Sequence, residues 1–221
     1  SLRKTYRVAG HQFSFVMEES SPLWRYIFRA YSPFEEENPA DDLFTISLDE
    51  SVSAEDVKQV YVDENPEPGF VKIAVYRYPK GYYMEFTQYD SDAINGKMTL
   101  GEGGDVRVTL YGDEMHQWMT FTNVTQVVYF IRTSTLDTVM AHSSAIHYGG
   151  KAYLFLGKSG TGKSTHSRMW LEGIEGAELM NDDHPIIRIG EDGIPIAYGS
   201  PWSGKTHCYR NIAAPVGAIV R

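Results

Sequence analysis

A glycine-rich motif late in the chain constrains the fold more than any other feature. Residues 157–164 read Gly-Lys-Ser-Gly-Thr-Gly-Lys-Ser and match the pattern G-x-x-x-x-G-K-[ST]. The apolar residues 152–156 before it are typical of a buried strand, and residues 164–171 after it are compatible with a helix. Glycines let several backbone N–H groups turn toward a phosphate chain at a helix N-terminus. The motif therefore predicts a nucleotide site; an ordinary glycine-rich turn is the alternative.

Two side chains of the motif have specific expected roles in such a site. Lys163 would place a positive charge on the β- and γ-phosphates, and the Ser164 hydroxyl would be a ligand of Mg²⁺. We therefore expect ATP and Mg²⁺ as cofactors. The residues expected to bind the nucleotide are Gly157, Ser159, Gly160, Thr161, Gly162, Lys163, Ser164 and Thr165.

Composition excludes several classes of partner. The 221 residues carry a net charge of −9 and contain no Lys/Arg-rich stretch, which argues against nucleic acids and anionic membranes as partners. The single cysteine, Cys208, cannot form an internal disulfide and, with an ATP-type loop, indicates the cytoplasm. No apolar run approaches the roughly 18 residues that a membrane-spanning helix needs.

Residues 1–112 are predicted to form a β-rich N-terminal domain. Short segments with β-branched or aromatic residues and partial alternation indicate strands at 12–17, 43–48, 57–62, 71–78, 82–88 and 105–111. Pro79-Lys80-Gly81 is expected to turn a hairpin, and Asn95-Gly96 is a candidate for another turn.

A helix is expected within residues 113–140. Apolar residues recur there at three-to-four-residue spacing, and Thr122 or Asn123 could cap the helix start. The helix would pack beneath the nucleotide-binding part and join the two halves. It begins the second predicted domain, residues 113–221.

The rest of the second domain alternates strands with the glycine-rich loop and its helix. Strands are expected at 143–148 and 177–180, with a Gly149-Gly150 turn and a hairpin formed by 186–189 and 194–198. Residues 216–221 resemble a buried strand with nothing after it to pair with, so we expect the chain to continue beyond Arg221. The fold class predicted from these elements is α/β (α+β) with a mixed sheet.

An aspartate pair follows the predicted strand at 177–180. In Asn181-Asp182-Asp183, one carboxylate could hold Mg²⁺ and the other could accept a proton from an attacking hydroxyl. Neighbouring residues at a strand end face opposite sides, so both roles are available. An acidic turn without chemistry is the alternative.

Two further elements are candidates for the same site. His142 lies 21 residues before Lys163, at the head of the preceding strand, where it could bind a metal, orient a carboxylate or lie in the core. The loop at 199–206 brings Lys205, followed by Arg210, and could either face the transferred phosphoryl group or be a surface turn. Four other histidines are expected to be structural or exposed: His147, His166, His184 and His207.

Together these segments resemble a known nucleotide-binding core. The order His142-Ser143-Ser144-Ala145, then residues 155–165, then Asn181-Asp182-Asp183 is similar to that of HPr kinase/phosphorylases and phosphoenolpyruvate carboxykinases. The resemblance covers roughly residues 139–190, about a quarter of the chain. It implies the mixed-sheet, phosphate-loop fold of the C-terminal part of those proteins.

The resemblance also implies roles for individual residues. Lys163 and the loop backbone would bind the ATP phosphates, and Ser164 and Asp183 would hold the divalent metal. Asp182 would be the base that activates a hydroxyl acceptor, with His142 beside it, although the two aspartates could exchange roles. Independently of the resemblance, the Gly/Ser loop at 199–206 adds Lys205 to the residues expected to bind the nucleotide.

The function expected from all these features is an ATP- and Mg²⁺-dependent phosphotransferase. It would transfer the γ-phosphoryl group to a hydroxyl, on a serine of a protein or peptide or on a small molecule. The alternative is a non-catalytic or merely hydrolytic ATP-binding regulatory module. A carboxykinase-like lyase is disfavoured because the N-terminal part is short. A GTPase is disfavoured because the sequence lacks the guanine-binding motif Asn-Lys-x-Asp. The sequence leaves the oligomeric state undetermined, and a homo-oligomer is compatible with it.

Overall fold

The computed structural model describes residues 1–38, 40–63, 71–88 and 92–221. The chain divides into two compact units, each made of discontinuous segments. The first unit comprises Ser1–Thr5, Gln12–Ile27 and Glu37–Arg132. The second unit comprises Tyr6–His11, Phe28–Glu36 and Thr133–Arg221.

An eight-stranded sheet dominates the N-terminal part of the chain. Its strands are β1 (Leu2–Val8), β2 (His11–Met17), β3 (Phe44–Leu48), β4 (Lys58–Val62), β5 (Lys72–Tyr78), β6 (Gly81–Thr87), β7 (Ile94–Gly101) and β8 (Asp105–Leu110). Their spatial order is β1-β2-β3-β8-β7-β6-β5-β4. β3 is parallel to both β2 and β8, and the strands from β4 to β8 pair in antiparallel fashion. All six predicted strands are thus confirmed, whereas the sequence did not predict β1 and β7.

The two predicted turns in this sheet have different outcomes. The hairpin at Pro79-Lys80-Gly81 is confirmed, because Tyr78 pairs directly with Gly81. The turn at Asn95-Gly96 is wrong, since both residues lie inside β7. A Cβ on Gly96 would lie 2.5 Å from Thr120 Cγ2, so the absence of a side chain lets a helix approach this strand closely.

That helix is α2 (Glu114–Thr133), which follows a shorter, unpredicted helix α1 (Leu23–Tyr31). Phe121 of α2 packs against Phe15, with ring centroids 5.0 Å apart, and Tyr129 packs against Phe13 at 6.1 Å. The apolar face read from the sequence therefore covers this sheet. The predicted boundary at 112 assigns the helix to the second domain, but its residues up to Arg132 belong to the first unit.

The predicted start and end of α2 need correction. Asp113 caps the helix, since its Oδ1 accepts the His116 N–H at 2.9 Å. Thr122 and Asn123 lie mid-helix, where their side chains donate to the carbonyls four residues earlier. The helix stops at Thr133, and the chain turns at Asp137, whose φ is 49°.

A seven-stranded sheet forms the centre of the C-terminal part. Its strands are β9 (Thr138–Met140), β10 (Ser143–Tyr148), β11 (Lys151–Leu156), β12 (Glu178–Asn181), β13 (Ile186–Ile189), β14 (Pro195–Tyr198) and β15 (Ala213–Val220), and α3 (Lys163–Gly173) follows β11. The order is β12-β10-β11-β15-β14-β13-β9. The predicted strands, the α3 helix and the Gly149-Gly150 hairpin are confirmed, because Tyr148 pairs with Lys151. β9 replaces the expected C-terminal end of the α2 helix.

The last strand differs from its prediction. β15 pairs in parallel with β11 and in antiparallel fashion with β14, so it has partners on both sides within the sheet. Only Ala214 in β15 is buried, and Ile219 is 56% exposed. Apolar content alone therefore gave a wrong expectation of burial for this strand.

The predicted α/β class is confirmed at the level of a mixed α/β protein with β-rich sheets and few helices. The core beneath the second sheet contains small and medium side chains such as Ala145, Leu154 and Met180, each fully buried. Within the described part of the chain, none of the helices has the length and apolarity needed to cross a membrane.

One buried histidine in the second unit lies away from the glycine-rich loop. His11 Nε2 lies 2.8 Å from Thr138 Oγ1, and the side chain is 7% exposed. Burial, with a further contribution from the charge of Arg188, lowers the pKa of His11 from 6.5 to about 4. The folded protein therefore holds this imidazole neutral.

We predict that His11 makes the protein less stable in mild acid. Its pKa is lower in the folded state, so the unfolded chain binds the proton first as the pH falls. Stability is then lost between about pH 6.5 and 4, by up to about 3 kcal/mol. Urea unfolding at pH 7 and pH 4 should show a smaller pH-dependent loss for His11→Gln than for the unmutated chain. An equal loss in both proteins would contradict the assignment.

Candidate functional site

The glycine-rich loop (residues 157–164) joins the end of β11 to the start of α3. Gly160 and Gly162 have φ values of 80° and 95°, a left-handed conformation that other residues rarely adopt. Gly162 is the residue directly before the helix. A side chain at these two glycines would meet no atom within 4 Å, so their role is conformational rather than steric.

Lys163 folds back over this loop. Its Nζ donates hydrogen bonds to the carbonyl oxygens of Gly157 at 2.8 Å and Lys158 at 3.1 Å. The Thr161 hydroxyl also donates to the Lys158 carbonyl, at 2.7 Å. The ammonium group is thus held in the concave part of the loop, at the N-terminal end of α3, where an anion is favoured.

A cavity of about 810 Å³ opens in front of the loop. It is lined by His142, Phe155, Leu156, Gly157, Lys158, Thr161, Gly162, Lys163, His166, Val220 and Arg221. Four predicted nucleotide-binding residues, Gly157, Thr161, Gly162 and Lys163, are among these. Four more, Ser159, Gly160, Ser164 and Thr165, are exposed on the loop and the first turn of α3. The size of the cavity is in the range of small-molecule sites.

Asn181, at the end of β12, organises the aspartate pair. Its side chain is fully buried, and its Oδ1 accepts the backbone N–H groups of both Asp183 and His184 at 2.9 Å. Its Nδ2 donates to the carbonyl oxygen and the hydroxyl of Ser200, at 3.3 and 3.1 Å. One amide therefore shapes the turn after β12 and binds it to the 199–206 loop.

Asp183 lies between two histidines. Its carboxylate oxygens are 3.4 Å from His142 Nε2 and 3.1 Å from His184 Nδ1, and the two imidazole rings stack with centroids 5.4 Å apart. Burial is the largest single influence on the pKa of Asp183 and raises it. The contact and charge of His184 and the charges of His142 and Lys163 together outweigh burial, so the pKa of Asp183 lies below its usual value.

This electrostatic influence connects parts of the sequence that are far apart. Lys163 is close enough to Asp183 for its charge to favour the carboxylate. His142, which lines the cavity, contacts the same carboxylate. The glycine-rich loop, the head of β10 and the end of β12 therefore converge on one site.

Asp182 has different neighbours. Its Oδ1 accepts a hydrogen bond from the Ser144 hydroxyl at 2.7 Å, and its backbone N–H donates to Ser203 Oγ at 3.2 Å. Ser144 Oγ in turn lies 2.5 Å from Ser167 Oγ on α3. His142 thus contacts Asp183, whereas the sequence predicts this histidine beside Asp182.

The second predicted loop, residues 199–206, has an exposed part and a buried part. Lys205 is exposed and is not among the residues that line the cavity. Arg210 donates to the Leu179 carbonyl at 2.8 Å and lies 3.2 Å from Glu178 Oε2, so it holds the edge strand β12. The buried part of the loop is the segment around Ser200 and Trp202.

Two residues of the site were not predicted as functional. The sequence predicts His184 to be structural or exposed, although its position directly after the aspartates is a signal of function. For Ser167 the only such signal is its spacing of four residues from Lys163, which places both residues on one face of a helix. Within the described residues, no three His, Cys, Asp or Glu side chains form a metal-binding group.

We predict that Asn181→Ala destabilises the protein by about 1–3 kcal/mol, because it leaves the N–H group of Asp183 without its acceptor, whereas the His184 N–H keeps the Trp202 carbonyl at 3.1 Å. The measurement is chemical denaturation at pH 7. Asn211→Ala is the matched control, since Asn211 is exposed in the same unit, and its effect should stay within about 0.5 kcal/mol. Similar effects of the two substitutions would refute the role of Asn181.

Comparison with known proteins gives no assignment at this point. No protein-family model matches the chain, and no match to it was found among curated proteins.

Proposed function

We propose that the protein is an ATP- and Mg²⁺-dependent phosphotransferase that transfers the γ-phosphoryl group to a hydroxyl. The observation that supports this most directly is that Lys163 and His142 line one cavity and that both act on the same carboxylate, Asp183. As part of this proposal, the second unit has a phosphate-loop fold. That fold is implied by the resemblance to HPr kinase/phosphorylases and phosphoenolpyruvate carboxykinases.

The residues present fit a bound nucleotide. The left-handed glycines allow the loop its backbone conformation, and the ammonium of Lys163 lies against the loop's own backbone carbonyls. Phosphate oxygens are stronger acceptors for this group because they carry charge. The loop N–H groups and the N-terminus of α3 would bind the same phosphates.

The exposed Ser164 hydroxyl and the Asp183 carboxylate would hold Mg²⁺. The low pKa of Asp183 suits this role, since a metal ligand has to be deprotonated. When bound, the metal ion would neutralise charge on the transferred phosphoryl group. His142 lines the cavity beside Asp183 and would contact the phosphoryl group or the acceptor.

Asp182 is the proposed base. A carboxylate that accepts one hydrogen bond through Oδ1 keeps acceptor capacity on its second oxygen, which can take the proton of an acceptor hydroxyl. The acceptor itself is a serine of a protein or peptide, or a small hydroxyl compound. Phosphoryl transfer requires in-line placement, charge neutralisation and a group that orients the nucleophile, and these residues would supply all three.

We predict that Lys163→Ala weakens ATP binding about 10- to 100-fold, because a charge-assisted hydrogen bond to phosphate contributes about 1.5–3 kcal/mol. Isothermal titration with ATP in the presence of Mg²⁺ measures this change. Lys151→Ala, an exposed lysine at the start of β11, is the control and should bind as the unmutated protein does. Lys205→Ala belongs in the same series and tests the expected contribution of Lys205. Equal affinity of the Lys163→Ala variant and the unmutated protein would remove the basis for the nucleotide site.

We predict that Asp182→Asn lowers phosphoryl transfer about 10²- to 10⁴-fold, the usual contribution of a general base, while ATP affinity stays unchanged. Transfer is measured with γ-labelled ATP against two acceptor sets, serine-containing peptides and small polyols. Glu191→Gln, in the exposed turn between β13 and β14, is the control. Unaltered turnover in Asp182→Asn would rule out this base. Mg²⁺-dependent ATP binding without transfer to either set would favour the regulatory module instead.

A further inference from the structure

Three side chains from three separate elements form a continuous hydrogen-bonded chain. Ser167 Oγ of α3 lies 2.5 Å from Ser144 Oγ of β10, and Ser144 Oγ lies 2.7 Å from Asp182 Oδ1 after β12. The two serines are 2% and 1% exposed. The sequence does not show this chain, because its members are 15 to 38 residues apart.

The chemistry of the groups fixes the direction of each hydrogen bond. An ionised carboxylate only accepts, so the single proton of the Ser144 hydroxyl is donated to Asp182. Ser144 then has only lone pairs to offer, and Ser167 has to be the donor in the second bond. The chain therefore runs Ser167 to Ser144 to Asp182, with one arrangement of protons.

The position of Ser167 gives the chain a specific connection. Ser167 lies four residues after Lys163 on α3, which is about one helical turn. The helix that begins at the glycine-rich loop is thus bonded, through Ser144, to the carboxylate after β12. Ser203 fixes the same residue from the other side by accepting the Asp182 backbone N–H.

We propose that Ser144 and Ser167 are positioning residues that hold the Asp182 carboxylate in register with the glycine-rich loop. Ser144 acts through its hydrogen bond to Asp182, and Ser167 acts through Ser144. The consequence for catalysis rests on the proposed phosphotransferase function, whereas the hydrogen-bonded chain itself does not. Small displacements of a catalytic group can cost about 10²-fold in rate, so the effect is measurable.

A double-mutant cycle on the nucleotide-free protein tests the chain. Ser144→Ala, Asp182→Ala and the double variant are compared by chemical denaturation. We expect non-additive effects, because each single change removes the same hydrogen bond. Additive effects overturn the proposal.

Ser143→Ala is the matched control for this cycle. Ser143 precedes Ser144 on β10 and is also fully buried, but its hydroxyl has no hydrogen-bond partner within the described residues. The effects of Ser143→Ala and Asp182→Ala on the free energy of unfolding should therefore be additive. Coupling as strong for Ser143 as for Ser144 would also overturn the proposal, since it would reflect general packing of the strand.

Steady-state kinetics test the positioning role. Ser144→Ala should lower kcat about 10- to 100-fold with an unchanged KM for ATP, and Ser167→Ala should lower it less because it acts through Ser144. In an Asp182→Asn background, Ser144→Ala should have no further effect on kcat. An unchanged kcat in Ser144→Ala, or a raised KM alone, would overturn the positioning role.

The two proposals fail in distinguishable ways. If the unmutated protein transfers phosphate to neither acceptor set, the proposed function fails, and the unfolding cycle still decides whether the chain couples Ser144 to Asp182. If transfer occurs and the cycle is additive, the function stands and the positioning role is refuted.

Discussion

The arrangement of the site depends on the buried amide of Asn181. A fully buried amide has to satisfy its donors and acceptor within the protein, and here it does so with the turn after β12 and with Ser200. The backbone path that results directs Asp182 toward Ser144 and Asp183 toward His142. Two adjacent carboxylates thereby acquire different surroundings, which is the condition for giving them different chemical roles.

Local patterns predicted most of the strands, because alternation and turn residues act over a few positions. The hairpins at residues 79–81 and 149–150 are of this kind. Predictions failed where a distant contact decides. Gly96 lies in a strand because it pairs with Phe86 and Leu110 on the two neighbouring strands. Thr122 does not cap α2, since Asp113 does so nine residues earlier. Ile219 is apolar but exposed, since apolar content does not reveal which strand faces are covered.

The site was predictable where its chemistry is contiguous in sequence. The glycine-rich loop and the aspartate pair are each a few residues long, and both were found from the order of residue types alone. The hydrogen-bond and charge partners of each aspartate were not predictable, because they depend on which strands become neighbours. β10 pairs with both β11 and β12, which brings His142 and Ser144 between the loop and the aspartates. Lys205, inferred from a second Gly/Ser loop that carries a lysine, is exposed, and its role stays a prediction.

The two hydrogen bonds from Lys163 to its own loop have a consequence for ligand selectivity. An incoming anion has to compete with the carbonyl oxygens of Gly157 and Lys158 for the same ammonium protons. A monovalent ion such as chloride gains little from that exchange, because the lysine is already solvated by the backbone. A polyphosphate offers several charged oxygens at once and would contact the loop amides as well. Under the proposed function, the loop would therefore discriminate among anions by the number of charges they bring, before any contact with the rest of the ligand.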